Sequence, residues 1–175
     1  MRRGAVIWFT GLPASGKTTL ARGVARRLER QGWVPILLDS DVLRGVVGSS
    51  LGYDVAARGR FYRALGKLAA LLANQGHLVL VAATAHRRTY REAARKLVPR
   101  FFEVFVDVPA ETCAARDFKG LYRRAARGKV AALPGVGVAY EPPLHPELVA
   151  HGGRSRHAID EVVRFVSSRR PKCSP

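Results

Sequence analysis

Residues Gly11-Leu12-Pro13-Ala14-Ser15-Gly16-Lys17-Thr18 read G-x-x-x-x-G-K-[ST], and where they sit restricts this chain more than any other feature. Apolar Ala5-Val6-Ile7-Trp8-Phe9 precedes them and closes on Thr10-Gly11, the pattern of a buried strand feeding a loop. After them Leu20, Val24 and Leu28 recur at four-residue spacing, which predicts a helix over 16–31 with Gly32 at its C-terminal cap. A glycine-rich loop between a buried strand and a helix turns backbone N–H groups and a helix N-terminus towards one point, an arrangement that takes phosphate. Lys17 then reaches the outer phosphates and Thr18 offers an oxygen to Mg²⁺.

The remaining pattern repeats this alternation. A second strand is expected over 34–38, ending in Asp39-Ser40-Asp41, residues suited to start a helix. Glycines and serines over 48–52 lead to an apolar stripe, Phe61, Leu65, Leu68 and Leu72, at helical spacing. A strand follows over 78–81, then a helix over 87–98 stopped by Pro99, a strand over 101–108, and a helix opened by Pro109 through Ala115. Strand–helix alternation predicts an α/β fold, a three-layer sandwich of the P-loop NTPase type with helices on both faces of a parallel sheet. The 175 residues suit one domain over 1–175. Basic, glycine- and proline-containing residues over 116–146 read as a mobile lid. A last helix is expected over 159–166, before a tail over 169–175 that frays.

Thirty Lys+Arg against thirteen Asp+Glu give +17, so anionic partners are expected. The arginines are scattered from Arg2 to Arg170 and follow no RNA-binding motif, which argues against a specific nucleic-acid partner. No apolar run approaches a membrane span and Met1-Arg2-Arg3 leads into no signal-peptide pattern, so no membrane partner and a cytoplasmic location are expected. Cys113 and Cys173 have no metal-type spacing and read as inert thiols.

Asp39 and Asp41 stand where the second strand ends, facing the phosphates. One can help hold Mg²⁺ through water and the other accept the proton of an attacking hydroxyl, the general-base task of phosphoryl transfer to an alcohol; either can instead cap the following helix. A base at this position points to small-molecule kinases and away from GTPases. Arg44, Arg58, Arg63 and Arg88 lie near crevice-facing loops and suit a dianionic acceptor, whereas Arg60, Arg87 and Arg91 read as surface charges. Arg116, Lys119, Arg123, Arg124, Arg127 and Lys129 make the lid a closure over polyphosphate, with an RNA-binding patch as the alternative.

Together these residues resemble the adenylylsulfate kinase family. The resemblance runs over about 6–148 and is carried by the P-loop with Thr19-Leu20-Ala21, Leu38-Asp39-Ser40-Asp41 with Arg44, Leu51-Gly52-Tyr53, Arg88 with Arg91, Arg116-Asp117-Phe118-Lys119-Gly120-Leu121-Tyr122, and Tyr140-Glu141-Pro142-Pro143. It implies ATP at Gly11, Leu12, Pro13, Ala14, Ser15, Gly16, Lys17, Thr18 and Thr19, and Mg²⁺ near Thr18 and Asp39. Lys17 and Asp41 would be the catalytic residues, Asp41 positioning or deprotonating the 3′-hydroxyl of adenosine 5′-phosphosulfate. Arg44, Arg58 and Arg63 would hold the phosphosulfate end, Lys119, Gly120 and Leu121 the acceptor nucleotide, and Tyr53 would stack on its adenine; a homodimer is also implied.

Departures from the family gather on the acceptor side. Ser40 stands within the usual Asp-Gly-Asp, Ala57 replaces an acid before Arg58, and Phe61 stands near the place of a substrate-binding Asn. Leu133 takes the place of the second aromatic of the adenine sandwich. Thr84-Ala85-His86 replaces Ile-Ser-Pro, and Ala85 has no hydroxyl to phosphorylate. A related kinase with another anionic or sugar acceptor is the alternative within enzymes, and a nucleotide-dependent RNA-binding protein the alternative outside them.

Overall fold

A computed structural model describes residues 4–47, 52, 54–117, 120–128 and 133–168. The elements in order are β1 (Ala5–Thr10), α1 (Lys17–Glu29), β2 (Ile36–Asp39), α2 (Ser40–Val47), α3 (Val55–Asn74), β3 (Leu78–Ala82) and α4 (Arg88–Arg95). There follow β4 (Phe101–Val106), α5 (Ala110–Ala115), α6 (Leu121–Ala126), the two-residue strands β5 (Leu133–Pro134) and β6 (Gly137–Val138), β7 (Leu148–Ala150) and α7 (Arg156–Ser167). Five strands form one parallel sheet in the order β2-β3-β1-β4-β7.

β1 is buried along its whole length, and strand geometry sends its side chains alternately to two sides. Ala5, Ile7 and Phe9 pack with Leu20, Val24 and Leu28 of α1 and Ala158, Val162 and Val166 of α7. Val6 and Trp8 pack with Phe61, Leu65 and Ala69 of α3 and Tyr90 and Ala94 of α4. The predicted three layers are therefore present, with each sheet face closed by a helix pair. β2 and β3 lie on one side of β1, and β4 and β7 on the other, so the loop leaving β1 opens where the strand order reverses, the place where such sheets bind ligands.

Several expected boundaries shift for local reasons. Val34 is 84% exposed and precedes β2, which pairs with β3 only from Ile36. The stripe on α3 is rotated: Leu68 is exposed, and small Ala69, Ala70 and Ala73 face the sheet, because α3 packs close against it. Residues 156–158 join the last helix because Ser155 caps it, its Oγ accepting from the Ala158 N–H at 3.2 Å. β7 was not expected; three residues were too short a run to stand out, and only β4 pairing makes them a strand. Within 116–146, α6 and the small β5–β6 pair are formed. Tyr53, Lys119 and the tail over 169–175 lie outside the described residues. Among the described residues no helix is long and apolar enough to cross a membrane.

Candidate active site

The motif glycines are demanded by the packing around the loop. Gly11 has φ 153°, and a Cβ there would lie 2.5 Å from the Val106 carbonyl oxygen at the end of β4. Gly16 has φ 99°, and a Cβ would meet Gly153 Cα and N at 2.8 Å. Gly16 also caps α1 with no side-chain hydrogen bond, and the first turn holds no acid, so the helix N-terminus keeps its donors and its positive end for a ligand. Lys17 Nζ donates to the carbonyls of Gly11 at 3.1 Å and Leu12 at 2.7 Å.

A cavity of about 330 Å³ lies over this loop. Pro13, Ala14, Gly16, Lys17, Thr18 and Thr19 line one side, Asp39, Asp41, Arg44, Arg58 and Thr84 the other, and Leu121 and Leu133 the rim. Nucleotide-loop and acceptor-side residues from six separate segments thus share one space. Asp39 does two jobs at once: Oδ1 accepts from the Asp41 N–H at 2.9 Å, capping α2, and Oδ2 accepts from the Thr18 hydroxyl at 2.6 Å. Its helix-capping and metal-site readings are therefore compatible.

Other expected residues stand back from the cavity. Gly11, Leu12 and buried Ser15 support the loop from behind, and Leu12 packs against Gly135. Phe61 is buried and carries the Arg44 guanidinium 3.9 Å from its ring centroid, which aims Arg44 from below. Ala85 is buried behind Thr84 with φ 38°, and Gly120 caps α6 with φ 64°. Arg63 is exposed and outside the lining, and Arg88 meets Glu141, its N–H donating to Oε2 at 2.8 Å.

Arg91 corrects the surface reading. Its side chain is 2% exposed, and Nε donates to Glu103 Oε1 at 2.8 Å. Its other nitrogens donate to the Ala85 carbonyl at 2.5 Å and the Glu141 carbonyl at 2.7 Å. Arg95 adds a bond to Glu103 Oε2 at 3.2 Å and an ion pair with Glu147. The signal was available: Glu103 is a lone charge inside the apolar run Phe101–Val106, and a buried carboxylate requires a partner. The same cluster explains Tyr140-Glu141. The Tyr140 phenol lies 2.9 Å from the Thr10 hydroxyl, which donates to the Thr84 carbonyl at 2.8 Å, so the far end of 116–146 is tied to the strand ends below the cavity.

Tyr62, Asp117 and Tyr122 also line the cavity and were not expected as site residues. Tyr62 follows Arg58 by four residues on α3, a spacing that puts both on one face. Tyr122 donates to the Pro13 carbonyl at 3.1 Å, hooking α6 onto the phosphate loop, and burial pushes its phenol up. Asp117 accepts from the N–H groups of Leu121 at 2.7 Å and Arg123 at 3.0 Å and so fixes the start of α6. Burial, with the charges of Arg58 and Arg87, pushes His86 down to about 4, which keeps it neutral beside the arginines.

The sheet order, with this loop at the end of its central strand, puts the chain among the P-loop NTPase-type folds. A family profile described as adenylylsulphate kinase matches residues 3–151. An adenylyl-sulfate kinase of Synechococcus sp. (strain JA-3-3Ab) is 43% identical over 165 residues, 94% of this chain and 93% of that one. The APS kinase of Mycobacterium tuberculosis, solved in complex with AMPPNP and APS, superposes with a TM-score of 0.88 at 38% identity, covering 95% of this chain and 99% of that chain. A hexameric APS kinase from Thiobacillus denitrificans superposes with a TM-score of 0.65 at 26% identity, covering 95% of this chain and 29% of that one. The chain belongs to the adenylylsulphate kinase family.

Proposed function

We propose that this chain transfers the γ-phosphoryl group of ATP to the 3′-hydroxyl of adenosine 5′-phosphosulfate, giving 3′-phosphoadenylylsulfate and ADP. The observation that carries the proposal is the single cavity in which the phosphate loop faces Asp41, Arg44 and Arg58. In it the α1 N-terminus and loop N–H groups hold the phosphates, and Lys17 exchanges the Gly11 and Leu12 carbonyls for the outer phosphates. Asp41 orients the acceptor hydroxyl and takes its proton, while Arg44 and Arg58 hold the anionic end. Tyr53 and Lys119 belong to the acceptor site in this proposal by family resemblance. Residues 116–146 act as a lid, with Tyr122 on Pro13 and Tyr140 on Thr10 among its attachments to the site.

The Thr18 hydroxyl and the Asp39 carboxylate, 2.6 Å apart, fit Mg²⁺: both are hard oxygen donors at the lip of the phosphate loop. Among the described residues no group of three or more His, Cys, Asp or Glu is placed to hold a metal, which suits an ion completed by water and phosphate oxygens. When bound, Mg²⁺ supplies charge neutralisation on the β- and γ-phosphate oxygens. Cytoplasmic action and a homo-oligomeric state, with a dimer as the first expectation, complete the proposal.

The test is one assay with labelled ATP, Mg²⁺ and a panel of adenylylsulfate, adenosine 5′-monophosphate, sugars and shikimate-like acids, with Asp41→Ala as control. Preferred, Asp41-dependent labelling of adenylylsulfate is expected. Labelling of another acceptor instead overturns the substrate, and transfer undiminished in Asp41→Ala overturns the role of Asp41.

A further inference from the structure

The α3 face of the cavity is polar at a residue that the assignments above leave without a task. Phe61 offers no hydrogen bond and serves as a platform for Arg44. One residue on, Tyr62 lines the cavity while remaining only 7% exposed. Its ring is held from several sides, edge-on to Phe61 at 5.4 Å between centroids and stacked on Tyr90 at 5.1 Å, and Tyr90 in turn meets His86 at 5.6 Å. A side chain so enclosed cannot turn its phenol elsewhere.

The phenol lies near the Ala85 peptide, next to Thr84 of the cavity wall. Ala85 is one of two non-glycine residues with positive φ among the described residues, at 38°, a backbone state that persists only when its surroundings hold it. Arg91 does so from the other side, donating to the Ala85 carbonyl at 2.5 Å while paired with buried Glu103. A phenol has one proton to donate, and the charged groups around this one are Arg44, whose guanidinium carbon is 5.9 Å from the Tyr62 ring centroid, Arg58 and Asp41, all lining the same cavity. Burial pushes the phenol up, so that proton stays in place across the working pH range.

We propose that Tyr62 is an acceptor-binding residue, donating its phenolic hydrogen bond to an anionic oxygen of the acceptor between Arg44 and Arg58. Tyr62 is the neutral donor of an anion subsite whose cations are the two arginines, and the packing of its ring between Phe61 and Tyr90 sets its direction. The inference rests on the adenylylsulfate reading above.

The test compares the full chain with Tyr62→Phe, which keeps the ring and removes the hydroxyl. Steady-state kinetics give KM for adenylylsulfate and for ATP separately, calorimetry gives adenylylsulfate affinity directly, and thermal unfolding gives Tm. Expected is a loss of acceptor affinity of about tenfold, read as a higher KM for adenylylsulfate, with KM for ATP within twofold and Tm nearly unchanged. An adenylylsulfate KM within twofold of wild type overturns the inference, as does an equal rise in both KM values accompanied by a lower Tm, which marks a packing role alone. Tyr62→Leu separates the two roles further: it should lower Tm yet lose no more acceptor affinity through hydrogen bonding than Tyr62→Phe. Wild-type protein that neither binds nor phosphorylates adenylylsulfate overturns the acceptor reading and this inference together, whereas wild-type turnover with an unaffected Tyr62→Phe overturns the inference alone.

Discussion

Replacing Arg91 by Met should destabilise the protein more than any other single change at a charged residue outside the cavity lining. The substitution keeps an apolar stem but removes three hydrogen bonds, to Glu103 at 2.8 Å, Ala85 at 2.5 Å and Glu141 at 2.7 Å. Glu103 still has Arg95 at 3.2 Å, so it is not left a bare buried charge. The two carbonyls lose this donor, at roughly 1–3 kcal/mol for each left unsatisfied, and breaking a buried ion pair costs about 3–5 kcal/mol. The overlapping expectation is a loss of about 4 kcal/mol, which for a chain of this size lowers Tm by roughly 8–16 °C. Urea unfolding and calorimetry on Arg91→Met, Glu103→Leu and the double variant measure it. Because both residues serve one network, the double variant should cost less than the sum by about 1–3 kcal/mol. A Tm shift under about 3 °C for Arg91→Met, or additivity within about 0.5 kcal/mol, refutes the assignment of this cluster as a buried structural network.

The remaining expectations address the site and its supports. Gly153→Ala places a Cβ 2.5 Å from the Gly16 carbonyl oxygen and should raise KM for ATP about tenfold or more, whereas Gly45→Ala meets nothing within 4 Å in α2 and should stabilise by about 0.5 kcal/mol; matched kinetics and unfolding curves compare them. Thr18→Val and Asp39→Asn should each raise the Mg²⁺ concentration needed for half-maximal transfer, and an unchanged Mg²⁺ titration removes these two as its holders. His86 is held down to about 4 against an ordinary 6.5, so between these pH values the unfolded chain binds a proton that the native chain does not. Stability should therefore fall as pH drops from about 6.5 to 4, by about 1–3 kcal/mol from this group, and His86→Gln should flatten that part of the unfolding profile measured between pH 7 and 4.

Local pattern was enough to read the strand before the glycine-rich loop, the helix after it, the parallel α/β arrangement and the family, because each rests on neighbours in sequence. Lys17, Thr18, Asp39 and Asp41 were legible for the same reason: they stand at fixed offsets from strand ends, and strand ends in a parallel sheet share one edge. The burial of Arg91 and the places of Tyr62 and Tyr122 in the cavity were not read from the local pattern. Arg91 differs from solvated arginines only in meeting Glu103 across the α4–β4 connection, and Tyr62 is set apart from Phe61 only by the 100° that one helical residue turns. Gly153 is a glycine because Gly16, far away in sequence, passes against it. The sequence by itself determined the elements and the phosphate loop, since hydrophobic period and backbone chirality act within a few residues. Only the tertiary structure decided which charges are buried, which aromatics line the cavity and what holds the cavity wall in place, since those depend on contacts between segments that the chain brings together only by folding.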